Sequence, residues 1–342
     1  MVAGHKQGVR RYIVRETFGQ ARQLTPIPGD LLYDPAGLAL RSETELFISN
    51  RAAHTGTSTI SRFSLYGSTF EYVETFSGND ATDCAQLCFD PVTGELFQTN
   101  WTSGILSRFI FDQAGNPVAN GVIRMPDSDK QLGVTVRPAD QQLFVSDYQK
   151  VRRFARNPDG SYTFIGYFVQ NSGALYHFMK FKDDILYLTD FQNNQVLLFT
   201  FDSQGVPTIK DTITAENALD MDFSPDGQEM YVTDHRNGGI MRYRYDSEAN
   251  TWVRQGEKIT TPMLGGIVVT TIVCPLSADL TGDCIVNYYD LYEFASQWLV
   301  PGDDNYCVTN GNLVGESCLV TMEDFSVFAS QWMMEYTEEK EF

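Results

Sequence analysis

The chain has 342 residues, enough for one large domain and a small one. Its apolar fraction of 42% supports a packed core and excludes global disorder. The net charge of −19, from 44 acidic against 25 basic residues, argues against nucleic acid or an anionic membrane as the main partner. It fits cation binding or a solvated acidic surface.

At the N-terminus, MVAGHKQGVRRYIV has no apolar core of the kind a secretory signal needs. No apolar run reaches the roughly 18 residues of a membrane span, GGIVVTTIV being the longest. Aromatic residues are abundant, with 23 Phe and 17 Tyr, which favours strands.

A unit of turn, strand and hydroxyl-plus-Asx then recurs: RSETELFISN (41–50), DPVTGELFQTN (90–100), RPADQQLFVSD (137–147), KDDILYLTD (182–190) and SPDGQEMYVTD (224–234). Its aromatics Phe47, Phe97, Phe144, Tyr187 and Tyr231 are spaced 43 to 50 residues apart. A second strand-like unit follows each copy: TISRFSL, GILSRFIFD, KVRRFAR, NQVLLFTFD and GIMRYRYD. A sixth copy of it, GVRRYIVR, opens the chain without a first unit before it. The unclaimed apolar strand LGGIVVTTIV (264–273) is its partner at the other end. Joining the two ends in one sheet removes free edges. The expectation is mainly β: a six-bladed β-propeller over residues 1–273, closed by N- and C-terminal strands, with a small all-α calcium-loop helix pair over 274–342. ENALDMDFSPDGQEMYVTD resembles the inner hairpin of the NHL-repeat and gluconolactonase-like six-bladed propellers. That likeness implies fold more than activity.

Asn50, Asn100, Asp147, Asp190 and Asp234 end the second strands and point to the face where propellers bind ligands. Two readings are open: a polar, anionic mouth for a cation or carbohydrate, or side chains capping their own turns, which the recurrence in every clear blade favours. His54 and His235 follow second strands, and His177 begins an inner strand, sharing a face with Met179 and Phe181 as core residues do. The gluconolactonase-like resemblance implies a metal or substrate ligand at Asn217. It also implies an early inner-strand Glu that DPAGLALR lacks. In CAQLCFD, Cys84 and Cys88 stand too far apart on a strand to bridge, so two free, buried thiols are expected.

The tail repeats FASQW, with Phe294 and Phe328 in matching places. DLTGDCIVNYYD has the spacing of a twelve-residue calcium loop, whose alternate positions turn oxygens inward toward a hard cation. Asp279, Thr281, Asp283, the Ile285 carbonyl, Asn287 (through water) and Asp290 are the expected ligands of one calcium ion. Asp290 is expected to open a helix with the stripe Leu291, Phe294, Ala295, Trp298 and Leu299. Phe325, Phe328, Ala329, Trp332 and Met333 match that stripe in a second helix, so that two short helices bury one seam. Residues 274–334 resemble a type I dockerin module. Thr281 stands where Asn or Asp is usual, Cys284 stands where Gly is usual, and the second loop offers Leu313, Gly315 and Ser317 in place of ligands. Cys284 and Cys318 hold the same loop position, so the resemblance implies a 284–318 disulfide, with Cys274 left for Cys307. Four cysteines allow three pairings, and the connectivity is open.

The expected function is a secreted, carbohydrate-associated binding or scaffold protein, extracellular or at the cell surface. The four C-terminal cysteines suggest an oxidising compartment, and the resemblance implies a cohesin-like or other surface partner. The alternative is a propeller enzyme: a metal-dependent lactonase, or a glycosidase or lyase acting on polysaccharide.

Overall fold

The computed structural model describes residues 2–4, 8–14, 21–27, 31–32, 34–51, 58–66, 69–78, 82–127, 130–203, 205–260, 264–270, 278–280, 286–298, 313 and 320–334. The chain divides into two compact units, residues 1–63 with 72–270, and residues 64–71 with 271–342.

Strands β1 (Val2–Gly4), β2 (Gly8–Val14) and β3 (Ala21–Ile27) open the chain. The first blade is β4 (Pro35–Ser42), β5 (Glu45–Asn50), β6 (Thr59–Tyr66) and β7 (Thr69–Phe76). The second is β8 (Cys84–Phe89), β9 (Leu96–Asn100), β10 (Ile105–Phe111) and β11 (Pro117–Arg124). The third is β12 (Val134–Val136), β13 (Leu143–Asp147), β14 (Lys150–Arg156) and β15 (Tyr162–Gln170). The fourth is β16 (Tyr176–Lys182), β17 (Ile185–Asp190), β18 (Gln195–Phe201) and β19 (Pro207–Thr214). The fifth is β20 (Ala218–Phe223), β21 (Glu229–Asp234), β22 (Ile240–Asp246) and β23 (Thr251–Ile259), and β24 (Leu264–Ile267) follows.

Five blades are therefore continuous in sequence, where the repeat count led to six. The remaining copy of the second unit, in β2, stands instead in a composite sheet of order β24-β1-β2-β3, which pairs strands from both ends of the propeller. The pairing of β24 with β1 ties the two ends together, and β24 and β3 are the edges of that sheet.

The repeated aromatics form the blade interfaces. Phe47 packs with Phe109 of the second blade, Phe97 with Phe154 of the third, Phe144 with Phe199 of the fourth, and Tyr187 with Tyr243 of the fifth. Tyr231 continues the series against Ile267 of β24. Each such side chain, taken fully out of water, stabilises by about 1.5–3 kcal/mol.

The hydroxyl of each repeat holds the inner strand. Gly37 N–H donates to Ser49 Oγ (2.7 Å), Gln86 N–H to Thr99 Oγ1 (2.8 Å), Phe178 N–H to Thr189 Oγ1 (2.9 Å) and Asp220 N–H to Thr233 Oγ1 (3.0 Å). Two of these hydroxyls donate onward to the next blade, Thr99 to the Leu132 carbonyl (2.9 Å) and Thr189 to the Leu219 carbonyl (2.8 Å). Outside, arginines of the second unit stitch blades in the same direction. Arg62, Arg108 and Arg153 donate to the carbonyls of Gly115, Gly160 and Gly205. The inner strands lie close. A Cβ on Gly37 would fall 2.6 Å from Gln86 Cα, so only glycine lets β4 approach β8 there.

Carboxylates hold β24. Asp220 Oδ2 accepts Ile267 N–H (2.9 Å) and Asp222 Oδ2 accepts Val269 N–H (2.7 Å), while Asp222 also pairs with Lys180. Cys84 and Cys88 are free thiols. Cys84 is buried as expected, but Cys88 is only partly buried.

In the second unit, α1 (Tyr288–Gln297) and α2 (Met322–Ser330) carry the same capping box. Asn287 caps α1 with Asp290 at its third position, and Thr321 caps α2 with Asp324. The first helix thus starts two residues before Asp290, because the cap is Asn287. The buried seam is narrower than the expected stripes. Phe294 and Phe328 are buried, with ring centroids 5.0 Å apart, whereas Ala295, Phe325, Ala329, Trp332 and Met333 are exposed. The helices end at Gln297 and Ser330, which leaves Trp298 and Trp332 beyond them.

Candidate functional site at the propeller mouth

The residue that follows each repeated Asx does not repeat. It is Arg51, Trp101, Tyr148, Phe191 and His235 in blades one to five. The backbone places these residues alike. Arg51 N–H donates to the Asp34 carbonyl (3.0 Å), Trp101 N–H to Asp83 (2.9 Å), Phe191 N–H to Leu175 (3.0 Å) and His235 N–H to Asn217 (3.2 Å). One backbone frame therefore presents four different side chains, and Tyr148 holds the matching sequence position in the third blade.

Four of them line a chamber of about 190 Å³: Arg51, Trp101, Tyr148 and His235. Its floor comes from the inner strands and their approaches, with Ala36, Ala85, Leu132, Phe178, Leu219 and Gly265, together with His177. The Arg51 guanidinium is fixed by Asp83 (Nε to Oδ1, 2.7 Å) and lies 5.0 Å from the Trp101 ring centroid. His177 is ringed by aromatics, with Phe191 at 5.3 Å and Tyr148 at 6.2 Å between centroids. Phe191 in turn lies 6.1 Å from His235.

Burial pushes the His177 imidazole down to about 3, helped by the neighbouring His235 and opposed by Asp190. His177 is therefore neutral at ordinary pH and offers one donor and one acceptor. Burial raises the Tyr148 phenol above its usual range, so it stays protonated. The chamber holds one guanidinium paired with Asp83, two imidazoles and three aromatic side chains, Trp101, Tyr148 and Phe178. That set suits a polar ring compound with a carbonyl or alkoxide oxygen. Among the described residues, no three His, Cys, Asp or Glu side chains are grouped to hold a metal ion.

Several sequence expectations change here. The register of β16 against β17 shifts between Tyr176 and Met179. Met179 consequently joins the blade core, while His177 lines the chamber instead of sharing the core face. The Asx residues do not form an anionic mouth, since all five are buried. Asp190 and Asp234 accept the N–H of Asn193 and Asn237, as turn caps do, and Asp147 is held by Arg152. Asn217 has φ +47°, in a series with Asp34 and Asp83, and its side chain donates to Asp234 Oδ1 (3.0 Å). It acts as a turn residue and is not among the chamber walls. His54 lies outside the described residues. Arg51, Trp101 and Tyr148 were missed as site residues. The signal for them was the break in the repeat just after each Asx.

Of the expected calcium ligands, Thr281, Asp283 and Ile285 lie outside the described residues, as do Cys274, Cys284, Cys307 and Cys318. Asp279 is half-buried. Asn287 Oδ1 accepts Tyr289 N–H (2.9 Å), and the wholly buried Asp290 accepts Asn287 N–H (2.8 Å). In the second loop Asp324 Oδ1 accepts Leu313 N–H at 2.6 Å, so the carboxylate at the twelfth position closes that loop itself.

No family model matches the chain, and no curated protein matches it significantly. Solved structures do. The candidate 6-phosphogluconolactonase of Bacteroides uniformis is 18% identical at a TM-score of 0.58, over 76% of this chain and 82% of that one. The periplasmic gluconolactonase of Pseudomonas aeruginosa is 12% identical at 0.55, over 75% and 78%. A chain of the nidogen/laminin complex is 13% identical at 0.56, over 78% and 95%. The likeness establishes a β-propeller fold. No helix among the described residues is long and apolar enough to cross a membrane.

Proposed function

We propose that the propeller is a hydrolase of a sugar-derived cyclic ester, acting in the chamber at its mouth. The observation that carries this is the convergence of Arg51, Trp101, Tyr148, His177 and His235 at one place in an otherwise repeating ring. In this reading the sugar ring lies against Trp101 and Tyr148. Water adds to the ester carbonyl carbon as His235 takes its proton. Arg51 faces the carbonyl oxygen, where negative charge develops. The ring C–O bond then breaks and the proton passes to the departing alkoxide, leaving a hydroxy acid. His177, neutral and walled by aromatics, accepts or donates a hydrogen bond to the sugar hydroxyls. The gluconolactonases among the structural relatives favour this reading over a pure scaffold. The test is acid release from a panel of sugar lactones, followed by pH-stat. Arg51→Met and His235→Asn should each lower the rate about 10²-fold with folding retained. A correctly folded wild type that releases acid no faster than buffer sinks the proposal.

For the tail we infer a calcium-stabilised, dockerin-like attachment module of an extracellular protein, with a cohesin-like or other surface partner. Two capping boxes of one pattern, Asn287 with Asp290 and Thr321 with Asp324, and Phe294 and Phe328 as the shared core support it. We also read the composite sheet as a sixth, closing blade. Calorimetric titration of calcium into the full chain tests the tail. One ion is expected, and none would end the reading.

A further inference from the structure

The chamber's floor is not uniform. In every blade one residue stands just ahead of the backbone N–H that the repeated hydroxyl holds, and these are Ala36, Ala85, Leu132, His177 and Leu219. All five line the chamber. Blades one and two put alanine at this position, whereas blades three and five put leucine. Leu132 and Leu219 meet Phe178 in one buried apolar cluster, against which Trp101 and Tyr148 pack. We propose that this cluster is the seat of a methyl group, and that the substrate is the lactone of a 6-deoxy sugar, a ring with CH3 where an ordinary hexose carries CH2OH. The inference rests on the hydrolase reading above and adds its substrate class.

Hydrogen bonding decides against the hydroxyl. The side chains of Leu132, Phe178 and Leu219 offer it neither donor nor acceptor. Their backbone groups are engaged by the clamps of the fold. The Leu132 carbonyl accepts from Thr99 Oγ1 (2.9 Å) and the Leu219 carbonyl from Thr189 Oγ1 (2.8 Å). Leu132 N–H donates to the Ser146 carbonyl (3.0 Å) and Phe178 N–H to Thr189 Oγ1 (2.9 Å). A hydroxymethyl group pressed onto this cluster gives up its water and gains no partner from it, whereas a methyl group loses nothing and buries apolar surface. The polar groups of the lining, on Arg51, Trp101, Tyr148, His177 and His235, are carried by other side chains and serve the ester and the ring hydroxyls. Size limits the rest. At about 190 Å³ the chamber is smaller than the roughly 300–1,000 Å³ of drug-sized sites, so it takes one ring with short substituents and not a chain. A ring lying against Trp101 and Tyr148 brings an exocyclic carbon onto the apolar cluster that those two side chains border.

Hydrolysis is measured on matched pairs of gluco, galacto and manno configuration, each a hexonolactone and its 6-deoxy form, which differ only in the C6 hydroxyl. Binding of the corresponding free sugars is measured alongside by calorimetry. The wild type should favour the 6-deoxy member by about tenfold or more in kcat/KM, the discrimination that one hydroxyl without a partner gives in an apolar pocket. Leu219→Asn, close in volume, supplies a partner for that hydroxyl and should erase the preference. Leu132→Asn makes the same test where the first variant does not fold. Equal use of both members in every pair turned over, or a preference for the hydroxymethyl member, would overturn the 6-deoxy assignment and leave the hydrolase standing. A preference that survives both substitutions would seat the methyl elsewhere and overturn it too. If no lactone is turned over, tighter binding of a 6-deoxy sugar than of its parent, lost in Leu219→Asn, supports the methyl seat without the hydrolase. Equal or absent binding removes it.

Discussion

Asp220 accepts the backbone N–H of Ile267 at 2.9 Å, and through that bond a side chain of the fifth blade grips the strand that joins the chain ends. The same carboxylate accepts Met221 N–H at 2.8 Å. Burial raises its pKa to about 7, against the pull of Lys180 and these two N–H groups. A raised carboxyl is more protonated folded than unfolded, so its contribution is full below about pH 4 and is lost as pH climbs through about 7. The melting temperature should fall between pH 5 and 8. Asp220→Asn should flatten that slope relative to wild type, and an unchanged slope would show that Asp220 does not titrate in this window. Asp220→Ala, which leaves two buried N–H groups unpaired, should cost about 1–3 kcal/mol for each.

Thr189 is expected to matter more than its size suggests. Its hydroxyl accepts Phe178 N–H and donates to Leu219 of the next blade. Thr189→Val keeps the shape and removes both bonds. The predicted loss is about 1–3 kcal/mol from the buried, unpaired N–H, read from urea unfolding. A midpoint within error of wild type would mean the inner strand needs no such clamp.

Much of this fold was legible because β-structure writes its faces into the chain. Phe47, Phe97, Phe144, Tyr187 and Tyr231 recur because each fills the same gap between neighbouring blades. The hydroxyl before each Asx recurs because every inner strand needs the same N–H satisfied. The chamber was harder to read. His177 obeys alternation only if β16 runs in register, and the shift between Tyr176 and Met179 turns it out of the core. No residue type announces that shift. Asp220 and Asp222, in ALDMDF, look like solvent-facing residues until β24 arrives from far along the chain. In the tail, the match of FASQW to helix was readable. Its width was not, because Ala295 and Ala329 face outward and each helix is only two to three turns long.

Arg51 should be irreplaceable by lysine. Its planar guanidinium binds Asp83 along one edge and lies over Trp101, a geometry that a point-charge ammonium cannot copy. Arg51→Lys is predicted to fold normally and to lower lactone hydrolysis by about tenfold, chiefly through kcat. Full activity in that variant would move the oxyanion-facing role to another group.

The two tail loops should respond differently to the same mutation. Asp290→Ala should destabilise even without calcium, because Asp290 holds Asn287 N–H, and is predicted in addition to abolish the stabilisation by calcium, which at about a hundredfold excess over Kd is worth about 2.7 kcal/mol. Asp324→Ala should destabilise with or without calcium, because Asp324 holds Leu313 N–H and Thr321 N–H directly. Thermal melts with calcium and with a chelator distinguish the two. Identical calcium responses in both variants would contradict an assignment to the first loop alone.

The sheet that unites β24 with β1, β2 and β3 also sets a timetable for synthesis. Thr270 reaches back 227 residues to the carbonyl of Glu43. At about 5–20 residues per second, a ribosome needs on the order of ten seconds or more between making those two partners. Over that interval the growing arc of blades carries an open flank at each end, with exposed backbone amides and the apolar side of the first blade uncovered. The nascent protein is thus most open to mispairing with its neighbours on the polysome just before its last strand emerges.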